Sequence, residues 1–245
     1  MGGNALSVTT CQLNDRNYHR LSNQIIEQIK EVYNKRIGLI PSYLNKADFG
    51  DMDILIESSP EYNPYHISKF LNATEVVTNG SCTSIGIKLD HGIFQVDLIK
   101  VKPEDFSFAL GYFSYNDLGN LIGRISHKFG FKFGHQGLLY ILRDKENKTN
   151  VIKEIVVTKN FSEALRFLGF NPNAYYSGTF LEIKDVFEYV INSPYFSPSI
   201  YLWDNLNHTQ RVRDKKRKTY NQFVRYIQQF DPKNYFDYTN IDQSN

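Results

Sequence analysis

Residues 50–56 read Gly-Asp-Met-Asp-Ile-Leu-Ile, and this spacing points to metal-assisted chemistry at phosphorus. Alternation along a strand puts Asp51 and Asp53 on one face and turns Met52 and Ile54 to the other. Two like charges so close are costly unless a cation neutralises them, and hard magnesium prefers oxygen ligands while keeping waters and substrate phosphates in its shell. A third carboxylate, Asp97, stands in the apolar run Ile93-Phe94-Gln95-Val96-Asp97-Leu98-Ile99, where an unpartnered buried charge is expensive. A neighbouring strand that brings Asp97 beside the first pair completes a site for two Mg2+ ions, with Mn2+ as a substitute. Such a site clamps the attacking and leaving oxygens of phosphoryl or nucleotidyl transfer. Asp-x-Asp also occurs in turns and caps, and it is the apolar strand around each carboxylate that sets this trio apart. Asp48 falls outside the alternation and reads as a turn residue.

The elements that must position these residues follow from periodicity. Leu21, Ile25, Ile29 and Val32 predict an amphipathic helix over 14–34, and short apolar runs predict strands at 37–40 and 52–56. A short helix is expected at 65–71, then strands at 75–78, 81–89 and 93–101, the last two joined by the tight turn Asp90-His91-Gly92. Helical spacing resumes at 104–110 and 115–129, and the Phe-Gly pairs at 129–130 and 133–134 read as a break. Beyond it a hairpin at 138–143 and 151–158, helices at 161–168 and 181–191, and one long basic helix over 204–230 are expected. The fold class read from this order is α+β: a mixed-sheet catalytic domain over 1–130, a smaller C-terminal α/β or helical domain over 131–236, the site in the cleft between them, and a frayed polar tail over 237–245.

Composition narrows the classes. In 245 residues, 41% hydrophobic and 15% aromatic, there is ample material for a packed core, which excludes a disordered chain. Two cysteines, Cys11 and Cys82, form neither a disulfide framework nor a zinc pattern. No stretch approaches a membrane span and residues 1–6 lack signal-peptide character, so an intracellular chain with no membrane partner is expected. A net charge of +2 does not announce a nucleic-acid partner, so any basic surface must be local.

Gly38, a loop, Gly50-Asp51-Met52-Asp53 on a strand and Asp97 on a later strand together resemble the signature of the DNA polymerase β nucleotidyltransferase superfamily, over roughly residues 20–101. The resemblance implies a polymerase β-like core. It implies that Asp51 and Asp53 bind both metals, that Asp97 binds the catalytic one and helps activate the attacking hydroxyl, and that Gly38 approaches the triphosphate. The family pattern has Gly or Ser after that glycine, whereas Leu39 follows here, so Ser42 as a donor and Lys46 as a point charge are the substitutes for gripping phosphate. Residues 1–6 (Met-Gly-Gly-Asn-Ala-Leu), 132–138 and 193–196 also resemble nucleotidyltransferase-like proteins of large DNA viruses and phages, which would place the chain in an infected host cell.

Arg211, Arg213, Lys215, Lys216, Arg217 and Lys218 crowd one stretch with Asp214 the only acid among them. Such a cluster suits nucleic-acid phosphates or a solvated helix face equally well. The expected function is metal-dependent transfer of a nucleoside monophosphate from a nucleoside triphosphate to an acceptor hydroxyl, the favoured acceptor being an RNA or DNA 3′ end. The rivals are transfer to a protein or small molecule, and a non-catalytic nucleic-acid-binding subunit that keeps the fold.

Overall fold

The computed structural model describes residues 3–144, 146–147, 150–178, 180–239 and 241. It is a mixed α+β protein, and its contacts divide it into two compact units, Met1–Phe106 and Ser107–Asn245.

In the first unit the elements are β1 (Leu13–Asn14), α1 (Asp15–Val32), β2 (Ile37–Leu39), β3 (Asp48–Phe49), β4 (Asp51–Glu57), α2 (Pro64–Phe70), β5 (Val76–Asn79), β6 (Cys82–Leu89) and β7 (Gly92–Val101). Five of these strands form one sheet in the order β2-β4-β7-β6-β5, in which only β4 and β7 run parallel; β1 and β3 make a separate two-stranded pair. The helix α1 begins where the Asn14 side chain accepts the N–H of Asn17 at 2.9 Å, an N-cap that relieves one of the orphan donors of the first turn. Its Leu21, Ile25 and Ile29 are buried against Met52, Ile54 and Ile56 of β4 and Phe94, Val96 and Leu98 of β7 in one continuous core, to which Ile67 of α2 also belongs. Each such side chain contributes about 1.5–3 kcal/mol when fully buried. Because strand side chains alternate, one face of β4 and β7 goes into this core, and Asp51, Asp53, Gln95 and Asp97 point to the other.

The second unit holds α3 (Phe106–Phe113, entered at its first residue from the first unit), α4 (Leu118–Lys128), β8 (Phe131–Gly134), β9 (Gly137–Arg143), β10 (Val151–Thr158), α5 (Phe161–Phe167), α6 (Pro172–Tyr176), α7 (Ile183–Ile191), α8 (His208–Lys215) and α9 (Lys218–Ile227). The strands form an antiparallel sheet in the order β10-β9-β8. The helices at 106–113 and 118–128, which the sequence reading groups with residues 1–130, pack in this unit, α4 lying against β8.

Three local departures from expectation have physical causes. The Phe-Gly segment expected as a break is strand β8, because Phe131 and Phe133 pair with Tyr140 and Leu138 and the turn closes at Gly134 opposite Gly137. The single long helix expected over 204–230 is two. A capping box between Asn207 and Gln210 starts α8, and a turn from Arg217 N–H to the Asp214 carbonyl at 2.9 Å ends it around a fully buried Asp214. The tail over 237–245, expected to fray, begins by docking: Tyr238 packs its ring on Phe129 and Phe236. Residues 240 and 242–245 of that tail lie outside the described residues.

Candidate active site

The parallel register of β4 and β7 sets Asp51 opposite Gln95 and Asp53 opposite Asp97. All four side chains therefore share the face of the sheet that α1 leaves open. Asp51, Asp53 and Asp97 are half-buried, deep enough to be poorly hydrated and open enough to meet a ligand.

The electrostatics follow from that crowding. Burial, with the nearby charges of Asp51 and Asp97, pushes the Asp53 carboxyl up to about 7, and the ammonium of Lys46 only partly offsets this. Burial also raises Asp97, against hydrogen bonds from Ser84 and Gln95 that favour its charged form. The Cys82 thiol, pushed to about 11 by burial and by Asp97, stays protonated at neutral pH. A cluster in which carboxylates disfavour one another's ionisation is a good host for a hard cation, since oxygen donors and unrelieved negative charge are what such an ion satisfies.

As the side chains stand, no three His, Cys, Asp or Glu among the described residues are gathered tightly enough to enclose an ion. Two of the carboxylates are held by other donors. Asp51 Oδ2 accepts the backbone N–H of Gly3 at 3.0 Å, and the Gln95 amide nitrogen donates to both oxygens of Asp97 at 2.9 and 3.1 Å. An ionised carboxylate has about four lone-pair sites, so each of these residues keeps oxygen capacity toward the open face.

Gly3, Gln95 and Ser84 were not among the residues singled out from the sequence. Gln95 was visible in principle, two positions from Asp97 on the same face of an apolar strand. The segment 3–10 carries no periodic signal, yet it is built into this face. Gly3 has φ +83°, and a Cβ there would lie 2.5 Å from the Gly50 carbonyl oxygen. Thr10 donates its hydroxyl to the Gly3 carbonyl at 2.7 Å, and Cys11 N–H bonds Ile93 O at 2.8 Å. A pocket of about 370 Å³ lies between this segment and Gly50, lined by Ser7, Thr9 and Thr10 among others.

The residues expected to grip phosphate are spread out. Gly38 sits within β2 opposite Leu55, toward the end of β4 away from Asp51. Ile40 N–H bonds the Asp53 carbonyl at 3.0 Å, so the loop carrying Ser42 and Lys46 leaves the sheet beside Asp53. Ser42 donates to the carbonyl of its neighbour Tyr43 at 3.3 Å. Lys46 lies over the Phe49 ring at 4.5 Å; burial lowers its pKa while the charges of Asp51 and Asp53 raise it, which puts it in the field of the carboxylates.

In the second unit the six basic residues fall into two sets. Arg213 bonds both oxygens of Asp214 at 2.8 and 3.1 Å, Arg217 pairs with Asp117, and Arg211 donates to the Leu206 carbonyl at 2.6 Å. Lys215, Lys216 and Lys218 are exposed at the junction of α8 and α9. Among the described residues no helix is long and apolar enough to cross a membrane. The chain matches no protein-family model and no curated protein sequence.

Proposed function

We propose that the chain is a metal-dependent nucleotidyltransferase with a polymerase β-like core. In this reading Asp51, Asp53 and Asp97 hold two divalent ions, Mg2+ or Mn2+. The reaction is attack of an acceptor hydroxyl on the α-phosphate of a nucleoside triphosphate, with pyrophosphate leaving. The observation that carries the reading is the side-by-side register of Asp53 and Asp97 on the face that also bears Asp51. The resemblance of 50–56 and Asp97 to the superfamily signature also supports it.

When bound, the ions supply charge neutralisation on the triphosphate and a more acidic acceptor hydroxyl. The chain's own part is positioning: three carboxylates fixed on two adjacent strands and Lys46 in their field. The hydroxyls of Ser7, Thr9 and Thr10 lie around the pocket beside Gly50. The favoured acceptor is an RNA or DNA 3′ hydroxyl, with Lys215, Lys216 and Lys218 meeting backbone phosphates. A protein side chain or small molecule is the second reading, favoured by the engagement of Arg211, Arg213 and Arg217 within the fold.

Incubation with labelled nucleoside triphosphates, Mg2+ or Mn2+, and RNA or DNA primers tests the first reading, and mass shifts on protein or small-molecule acceptors test the second. Asp51→Asn and Asp97→Asn are each expected to lower transfer at least about a hundredfold. Transfer that survives in both variants overturns the assigned roles.

A further inference from the structure

Gln95 is 2% exposed, an amide placed between a strand carboxylate and a backbone donor. Its Oε1 accepts the N–H of Ala5 at 3.0 Å while its Nε2 donates to both oxygens of Asp97. The two ends agree on the orientation of the amide, because a backbone N–H only donates and an ionised carboxylate only accepts. Turning the amide over would set Nε2 against the Ala5 N–H and Oε1 against the Asp97 carboxylate, leaving the two polar ends of a buried side chain facing the wrong partners.

The neighbouring residues make room for this arrangement. Gly86, the register partner of Gln95 on β6, has no side chain, and a Cβ there would lie 2.8 Å from Thr74 Oγ1 and 3.2 Å from Leu6 Cδ1. Leu6 is buried, so the residue following Ala5 anchors the segment on the sheet. Gly3, two residues earlier, reaches Asp51 directly. The segment 3–10 thus addresses Asp51 through its own backbone and Asp97 through Gln95.

We propose that Gln95 is a positioning residue: with its amide oriented by Ala5 N–H, it fixes the Asp97 carboxylate in the rotamer that presents its remaining lone pairs to a cation shared with Asp51 and Asp53. The proposal rests on the cation-binding reading above. A partner that orients a ligating side chain is typically worth ten- to a hundredfold in metal affinity.

The test is a Mn2+ titration of the full chain, followed by calorimetry or by the paramagnetic signal of the free ion, alongside thermal unfolding with and without Mn2+. Gln95→Met keeps the volume and removes all three hydrogen bonds. It is expected to weaken Mn2+ binding about ten- to a hundredfold and to shrink the Mn2+-induced rise in Tm, whatever happens to the Tm of the metal-free chain. A role confined to packing would instead lower both melting temperatures together and leave the increment and the affinity alone, and that result overturns the proposal. Should Gln95→Met not fold, Gln95→Asn, which keeps an amide but withdraws it by one methylene, is expected to show the same loss of affinity. Binding by the wild type that Gln95→Met, or Gln95→Asn in its place, leaves unchanged sinks the positioning role alone. A wild type that binds no Mn2+, with Asp51→Asn indistinguishable from it, sinks the cation reading and the proposal together.

Discussion

Asp53 of β4 and Asp97 of β7 are register partners across the one parallel strand pair of the sheet, and their carboxylates face the same side. Neighbouring strands lie about 5 Å apart, which sets the spacing of such partners. Burial and the neighbouring carboxylates together disfavour the charged form of each.

Replacing Asp53 by Asn removes the carboxyl on which burial and the charges of Asp51 and Asp97 bear together, while keeping a side chain of the same shape. Its metal-free Tm at pH 7.5 is expected to exceed that of the wild type by a few degrees, equivalent to about 1 kcal/mol. The Mg2+-dependent rise in Tm should disappear. Differential scanning calorimetry reads both, and an unchanged or lower metal-free Tm counts against the repulsion argument.

Gly3→Ala introduces a Cβ 2.5 Å from the Gly50 carbonyl oxygen at a backbone φ of +83°. Strain of this kind costs of the order of 1–3 kcal/mol. Gly80 also has a positive φ, +61°, but a Cβ there meets nothing within 4 Å. Thermal unfolding should therefore show a larger loss for Gly3→Ala than for Gly80→Ala, and equal losses would argue that segment 3–10 is not seated on the sheet.

Asp214 is fully buried between Arg124 and Arg213, and Arg217 approaches to 3.6 Å. Burial alone would raise its pKa, but the hydrogen bond from Arg213 and the charges of Arg124 and Arg213 outweigh it, so the carboxyl is held below its ordinary value. A folded pKa below the unfolded one of about 3.9 gives stability that is full above that value and is lost as pH falls through the folded value. Asp214→Asn should cost on the order of 3–5 kcal/mol at pH 7, since it strands buried guanidinium charge. Urea titrations across pH 7 to 3 should find the gap between wild type and variant constant near neutrality and narrowing in acid.

Lys215, Lys216 and Lys218 are exposed, whereas Arg213 and Arg217 are tied into ion pairs. Changing the three lysines to glutamine is expected to shift stability by no more than about 0.5 kcal/mol per substitution. If this junction meets nucleic acid, the slope of log K against log salt for a labelled oligonucleotide should flatten by about 2–3, one contact per lysine. An unaltered slope would move the acceptor away from this surface.

Much of the first unit is legible in the sequence because its signals are local. The three- and four-residue spacing of Leu21, Ile25 and Ile29 specifies α1, and the alternation through Asp51, Met52 and Asp53 specifies the two faces of β4. The parallel pairing of β4 with β7 is not readable from either strand, since strand order depends on which apolar faces pack together in space. The part played by residues 3–10 is equally hidden: it works through backbone N–H groups, which every non-proline residue possesses. In the second unit, counting charges over 211–218 cannot separate arginines bonded to Asp214, Asp117 and the Leu206 carbonyl from the exposed lysines. The helix break near Arg217 is likewise tertiary, set by the need to surround Asp214.

Two of the three carboxylates come from β4 and the third from β7, with α2, β5 and β6 threaded between them in the chain. No short peptide cut from this sequence contains the cluster, and forming it requires closing a long loop before the parallel ladder gives anything back. The site therefore depends on the β4–β7 ladder being closed, and a chain in which that pair has not formed has no place where the three carboxylates come together.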